Sequence, residues 1–170
     1  MEFHPGDPVM HWTHGFGHVV GVEERVLFDH KSLYYAVSIR DLIVWVPVDD
    51  KVDLRLRPPS STAEFKRLFS ILKGKAEQLP EDRQERKLHL VEKLRDGRAA
   101  SLCRVLRDLA TFQQSRTLND NDLTVMKRSR EALLSEWSHV LSIPPVEAET
   151  QLRLMLAPAP ADNPKAKGRG

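Results

Sequence analysis

Four histidines, His4, His11, His14 and His18, fall within one short N-terminal stretch. Imidazole is a common metal ligand and a ready proton carrier. Zinc, however, needs three or four ligands converging tetrahedrally, usually with cysteine among them. Here the spacing straddles a strand and a turn, and the single cysteine, Cys103, is far off in a helical stripe. These are expected to be surface or turn histidines, with no metal site. Cys103 is expected to be a buried, inert thiol. The carboxylate pairs Glu23-Glu24 and Asp49-Asp50 are adjacent in strand-like sequence, so their side chains point to opposite faces and make poor acid/base dyads. His14-Gly15-Phe16-Gly17 lacks the helix and lysine of a phosphate-cradling loop. No catalytic residue and no cofactor is expected, and the chain is not expected to be an enzyme.

Basic and aromatic residues offer binding chemistry instead. Arg95, Arg98, Arg104, Arg107, Arg116, Lys127, Arg128 and Arg130 lie in the second half. Arg104 and Arg107, at i and i+3, can share an exposed helix face and neutralise phosphates. The alternative is a solvated face with ion pairs such as that between Arg107 and Asp108. Trp45 alternates with Val44 and Val46 and therefore faces the opposite side of its strand. If that side is solvent, Trp45 is an interface anchor; if it is core, Trp45 is packing. Trp137 falls on a core stripe, and Trp12 is placed to cover one end of the N-terminal module.

Two textures meet at Pro58-Pro59. Before them the pattern is that of short strands: Val9–Trp12, His18–Val26, the alternating Leu33–Ile39, and Leu42–Val48. Turns are expected at His14–Gly17, at Asp29-His30-Lys31 and at Arg40-Asp41. Such strands fit a small, strongly bent sheet or SH3/Tudor-like barrel. After the prolines the period becomes 3.6. Ser61 and Glu64 have capping-box spacing, and Phe65, Leu68, Phe69 and Leu72 line one face. A second helix is expected from Pro80 to Arg95 with Leu88, Val91 and Leu94 apolar. A third runs from Arg98 to Gln114 with the stripe Leu102, Val105, Leu106 and Leu109. Asn119 caps a fourth, carrying Leu123, Met126, Leu133, Trp137 and Val140. Pro144-Pro145 breaks it and begins a fifth, ending near Leu156. The fold class is therefore α+β with two domains: residues 1–58 a small β-barrel, residues 59–156 a compact all-α bundle of about five helices. Residues 157–170, rich in Pro, Ala, Gly and Lys/Arg, are expected to be a disordered tail.

Net charge is only +2 over 170 residues, too little to draw the whole chain to nucleic acid or membrane. It is unevenly placed: residues 1–59 carry 6 Lys/Arg against 9 Asp/Glu, and residues 60–156 carry 17 against 14. A mildly acidic front and a basic back imply two surfaces with different partners. One cysteine suits a reducing cytoplasm. The N-terminus has no signal-peptide pattern, and no apolar run approaches the ~20 residues that span a bilayer.

Several stretches, in order, resemble the CarD/CdnL family of bacterial transcription regulators. Phe3-His4-Pro5-Gly6-Asp7-Pro8-Val9 is similar to its opening F-x-x-G-D-x-V, and His14 to Val19 to its histidine-glycine turn and Val-rich strand. Val22-Glu23-Glu24-Arg25, Tyr34-Tyr35-Ala36-Val37 and Val44-Trp45-Val46-Pro47-Val48 resemble its I-E-x-R, Y-Y-x-L and V-x-V-P strands. Leu54 to Arg57 resembles the end of its barrel, Arg104 to Leu109 its V-V-R-D-L helix, and Leu118-Asn119 the following cap. The resemblance covers residues 3–156. It implies an N-terminal Tudor-like module, shared with transcription-repair coupling factors, that docks on the β subunit of RNA polymerase. It implies a helical domain that touches promoter DNA at the upstream edge of the bubble and stabilises the open complex, with no nucleotide, metal or covalent step. By the same resemblance Arg25 matches a polymerase-contacting arginine, with Trp45, Val44, Val46 and Pro47 beside it. A second such arginine of the family is Trp45 here. Arg104, Arg107 and Arg116 are the DNA-binding candidates. The family's wedge tryptophan is Ala110 here, and the basic pair after it is Thr111-Phe112, with Phe112 a substitute wedge. The alternative is a module that binds polymerase or another protein without engaging DNA. The expected protein is a cytoplasmic, nucleoid-associated monomer with no membrane partner.

Overall fold

The computed structural model describes residues 2–157; the expected tail, from residue 158 onward, lies outside them. Five strands are followed by five helices: β1 (Pro8–His11), β2 (Gly15–Leu27), β3 (His30–Ile39), β4 (Leu42–Pro47), β5 (Leu56–Arg57), α1 (Thr62–Lys73), α2 (Arg83–Leu94), α3 (Ala99–Ser115), α4 (Asp120–Leu141) and α5 (Pro145–Leu156). A 3-10 turn, Val52–Leu54, precedes β5. The architecture is the two-domain α+β expected.

The strands form one antiparallel sheet in the order β4-β3-β2-β1-β5. β4 and β5 are its two edges, and no ladder joins them. The sheet is therefore open where a closed barrel was expected. Its inner face buries Phe3, Val9, Val19, Tyr35, Val37, Ile39, Val46, Val52 and Leu56. β2 starts earlier than expected, since Gly15, Phe16 and Gly17 pair with β1 rather than forming the turn. Gly17 is required there: a Cβ would lie 2.5 Å from both Ile39 Cγ1 and the Ser38 carbonyl oxygen. The β2–β3 hairpin also runs further than expected. Its turn is Phe28-Asp29, both with positive φ (51° and 63°), the backbone of a type I′ turn that matches strand twist.

In the helical domain, Ser61 forms the expected capping box of α1, and Asn119, the expected cap of α4, forms a box with Asp122. α2 begins at Arg83 behind an Asp82 cap, not at Pro80. The main core gathers Phe65, Leu68, Leu72, Cys103, Leu106, Leu133, Trp137 and Leu152. A second cluster joins Leu79, Leu90, Val105, Leu109 and Leu118. Two expected core faces fail. Leu88 and Val91 of α2 and Leu123 of α4 are exposed. α2 instead buries Leu90 and Arg86. The Arg86 guanidinium donates from Nε and Nη2 to the Asp122 carboxylate (2.9–3.1 Å) and from Nη1 to the carbonyls of Pro80 and Glu81. A buried cation with its donors so paired is tolerated.

The two domains are joined by a polar latch. Arg57, at the end of β5, forks onto Glu136 of α4 through Nη1 and Nη2 at 2.8 and 2.7 Å. Its Nε donates to the Gly97 carbonyl (2.9 Å). Ser60 donates its N–H and its hydroxyl to the same carboxylate, both at 2.8 Å. Glu136 is fully buried. Burial alone would raise its pKa, but the donors from Arg57 and Ser60 outweigh that and hold it below the ordinary carboxylate value. Phe16 stacking on His139 (4.3 Å between centroids) and the Arg40–Glu131 pair (3.8 Å) extend the contact.

Candidate functional site

Alternation along β4 sends Val44 and Val46 inward, where Val46 is buried and Val44 packs against the sheet core. Trp45 and Pro47 therefore point outward and are only half-buried. Cross-strand pairing places Trp45 opposite Ala36, and Ala36 opposite Gly21. Small residues at both positions leave room for a side chain to lie across the sheet. Arg25, on the same face of β2, does so: its guanidinium sits 3.6 Å from the Trp45 ring centroid. A cation so stacked is worth about 0.5–1 kcal/mol at an exposed site and is held in one orientation. Thus the structure brings Arg25, Trp45 and Pro47 to one outer face and assigns Val44 and Val46 to the core, against the expectation that all five meet a partner.

Next to Arg25 the hairpin carries Val26, Leu27 and Phe28, all exposed, with Phe28 95% accessible at the tip. Sequence reasoning missed these as exposed residues. The run Val26-Leu27-Phe28 reads as the end of a buried strand, and only the length of the hairpin takes it past the core. β4 is also an edge strand, and an edge presents unpaired backbone groups to a partner.

The DNA-facing candidates are dispersed. Arg104 is exposed on α3 and, among the described residues, makes no hydrogen bond or ion pair. Arg107 does not share that face: it is mostly buried, its Nε donating to Asp108 (3.0 Å). Arg116 is exposed but paired with Glu81. Phe112 is half-buried under the Arg86 guanidinium, 4.8 Å from its ring centroid, and packs on the second helical cluster. It does not stand out as a wedge. Ala110 lines a shallow cavity of about 470 Å³ with Leu106, Met126, Leu152 and Leu156.

The histidines disperse as well. His4 is exposed near Glu2 and Asp7, and His18 lies edge-on to Phe16. His11 is buried, its pKa lowered to about 4 by burial and by His14 beside it. Its Nδ1 accepts the backbone N–H groups of Thr13 and His14, both at 3.2 Å. Trp12 does not cover the β module; it packs towards Gly97 at the α2–α3 turn. Burial pushes the Cys103 thiol up to about 12.

The CarD-like/TRCF RID domain model matches residues 3–59, and the CarD C-terminal domain model matches residues 67–153. The chain belongs to the CarD-like family. It is similar to the protein of Bacillus subtilis (strain 168) called "Putative transcription factor YdeB", with 26% identity over 137 residues, covering 79% of this chain and 89% of that protein. The two matched regions coincide with the sheet and the helical bundle. The family supports a role connected with transcription, and its N-terminal module an interaction with RNA polymerase in general.

Proposed function

We propose that this protein is a transcription regulator that docks on the β subunit of RNA polymerase through the outer face of its sheet. Its helical domain contacts promoter DNA at the upstream edge of the bubble and alters the lifetime of the open complex. It acts as a monomer in the cytoplasm, on the nucleoid, and catalyses no reaction. The observation that carries the reading is the Arg25–Trp45 stack on an exposed sheet face, in a module matched by the RID family. The protein's effect is then a coupling free energy: it binds the open complex better than the closed one. Arg104, with Lys127 and Arg128 exposed on α4, supplies cations for phosphates. The test is affinity for the isolated β lobe. Wild-type protein binds; Arg25→Ala and Trp45→Ala each weaken binding about tenfold, typical for an interface anchor, while loss of the stack lowers Tm by only about 2–4 °C and leaves the protein folded. Absence of wild-type binding removes the proposal.

A second reading keeps polymerase binding, or binding to another protein, but drops DNA engagement. One observation favours it: Arg107, Phe112 and Arg116 are each held by partners within the chain. Open-complex lifetime on a forked promoter, with and without the protein, separates the two. A lifetime shift that Arg104→Glu abolishes supports DNA contact, and an unchanged lifetime supports the second reading.

A further inference from the structure

Between the sheet and the helices lies a cavity of about 370 Å³. Met10 of β1 and Leu94, Leu102, Val125 and Ala132 of the helices form its apolar walls. At ~30 Å³ per water-sized group, it holds a ligand of roughly twelve non-hydrogen atoms. Its polar lining is unusual in being made of donors. The charged residues lining it are Arg57, Arg95 and Arg128, with no carboxylate among them. Arg57 is neutralised by Glu136 and Arg95 is paired with Glu92 (3.3 Å). Arg128, among the described residues, has no ion-pair partner. One positive charge is thus left at the mouth.

Two nearly fully buried side chains also present unused donors. Ser129 is 3% exposed and His11 is 8% exposed, and both line the cavity. The Ser129 hydroxyl makes no hydrogen bond among the described residues. His11 Nδ1 accepts two backbone N–H groups, so the proton of the neutral ring sits on Nε2, which has no acceptor among the described residues. Among the described residues the fully buried side-chain atoms without a partner are His89 Nε2 and Trp137 Nε1, so the Ser129 and His11 donors open onto the cavity, where water or an acceptor from outside can meet them. An apolar enclosure with a few convergent polar groups is the usual form of a small-molecule site.

We propose that this interdomain cavity binds a small amphipathic carboxylate. Its apolar body lies against Leu94, Leu102 and Val125, and its carboxylate accepts from Arg128, Ser129 and His11. A neutral apolar ligand leaves these donors unmet, and a dianion finds only one uncompensated cation. The site shares Arg128 with the proposed phosphate contacts but touches neither Arg25 nor Trp45, so ligand binding and docking on the β lobe fail or succeed separately.

The test uses the full chain and decanoate, below its micelle threshold, followed by calorimetric titration and amide chemical shifts. Saturable binding to one site is expected, with shifts concentrated at Trp12, Leu102 and Ser129. Decanol binds at least about fivefold more weakly, and Arg128→Gln weakens decanoate about fivefold, the scale of a partly exposed ion pair. Ala132→Phe fills the cavity and abolishes binding. If that variant does not fold, Val125→Phe at a half-buried position serves the same purpose. No saturable binding, binding that survives a folded cavity-filling variant, or equal affinity for decanol each overturns the proposal.

Discussion

Replacing Glu136 with glutamine tests the latch that joins the two domains. Four donors converge on this carboxylate: Arg57 Nη1 and Nη2, and the Ser60 N–H and hydroxyl. Glutamine offers one carbonyl oxygen and turns an NH₂ group towards the remaining donors. The Arg57 charge is then left without its counter-ion. Removing one partner of a buried pair costs about 3–5 kcal/mol. Arg57 keeps 20% of its side chain in solvent, so the lower end, about 3 kcal/mol, applies. For a chain of this length that is a fall in Tm of roughly 6–12 °C, read by scanning calorimetry at neutral pH. Because the Glu136 carboxyl titrates below its ordinary value of 4.5 in the folded state, its stabilisation is present above that value. It is lost as pH falls through the depressed folded pKa. The gap between wild type and Glu136→Gln is therefore flat near neutrality and narrows only below about pH 4.5. Arg57→Met combined with Glu136→Gln removes the orphaned charge and recovers part of the loss. A fall of less than about 2 °C, or a gap that widens in acid, refutes the argument.

Two further outcomes follow from local packing. Gly17→Ala places a methyl 2.5 Å from the Ser38 carbonyl and from Ile39 Cγ1, so denaturant unfolding should show a loss of about 1–3 kcal/mol; a neutral result would mean the β2–β3 approach is looser than described. Burial holds the Cys103 thiol at about 12, so an aromatic disulfide reagent at mildly alkaline pH should label it only after unfolding in guanidinium, and fast labelling of native protein would contradict its position in the core.

Local patterns carried most of the fold. Period-2 alternation placed Trp45 on the face opposite Val44 and Val46, and cap spacing located the starts of α1 and α4. The misreadings share a cause, which is a partner distant in sequence. Gly15 does take positive φ (85°), where the β1–β2 turn closes; Gly17 looks like a turn residue for the same reason but is needed for the close passage of Ser38 and Ile39. Leu88 and Val91 look like the core stripe of α2, yet the helix turns inward the face bearing Arg86, whose counter-ion Asp122 lies 36 residues away. The same ion pair covers Phe112 and so removes a residue that local spacing had put forward as a wedge. Arg57 and Glu136 are 79 residues apart, and nothing in either neighbourhood announces the other. Of the candidate site, Arg25 comes forward through the family resemblance, while strand periodicity sets Trp45 opposite Val44 and Val46 but leaves open whether that face is core or solvent. The exposed Phe28 is not legible, because the length of a hairpin beyond its core depends on the turn type and on where the core ends.

The long hairpin strand gives these separate features a common geometry. β2 runs from Gly15, which lies against Ala132 of α4, to Arg25 and beyond. Ten residues of strand at ~3.3 Å each span about 33 Å, somewhat less with the irregularity between Val19 and Gly21. The stack of Arg25 on Trp45 is therefore held well away from the helices, while the near end of the same strand is clamped to α4 by Phe16 on His139, with the β3–β4 turn held to α4 beside it by Arg40 and Glu131. The Arg57–Glu136 latch removes the remaining freedom by tying β5 to the same helix. A polymerase surface that fixes the outer face of the sheet then also fixes where Arg104 and α4 stand, without any contact of its own to the helical domain. If the helical domain engages promoter DNA as proposed, the domain interface, more than any single side chain, sets how it does so. The cavity in that interface is correspondingly the place where a small ligand would act on both domains at once.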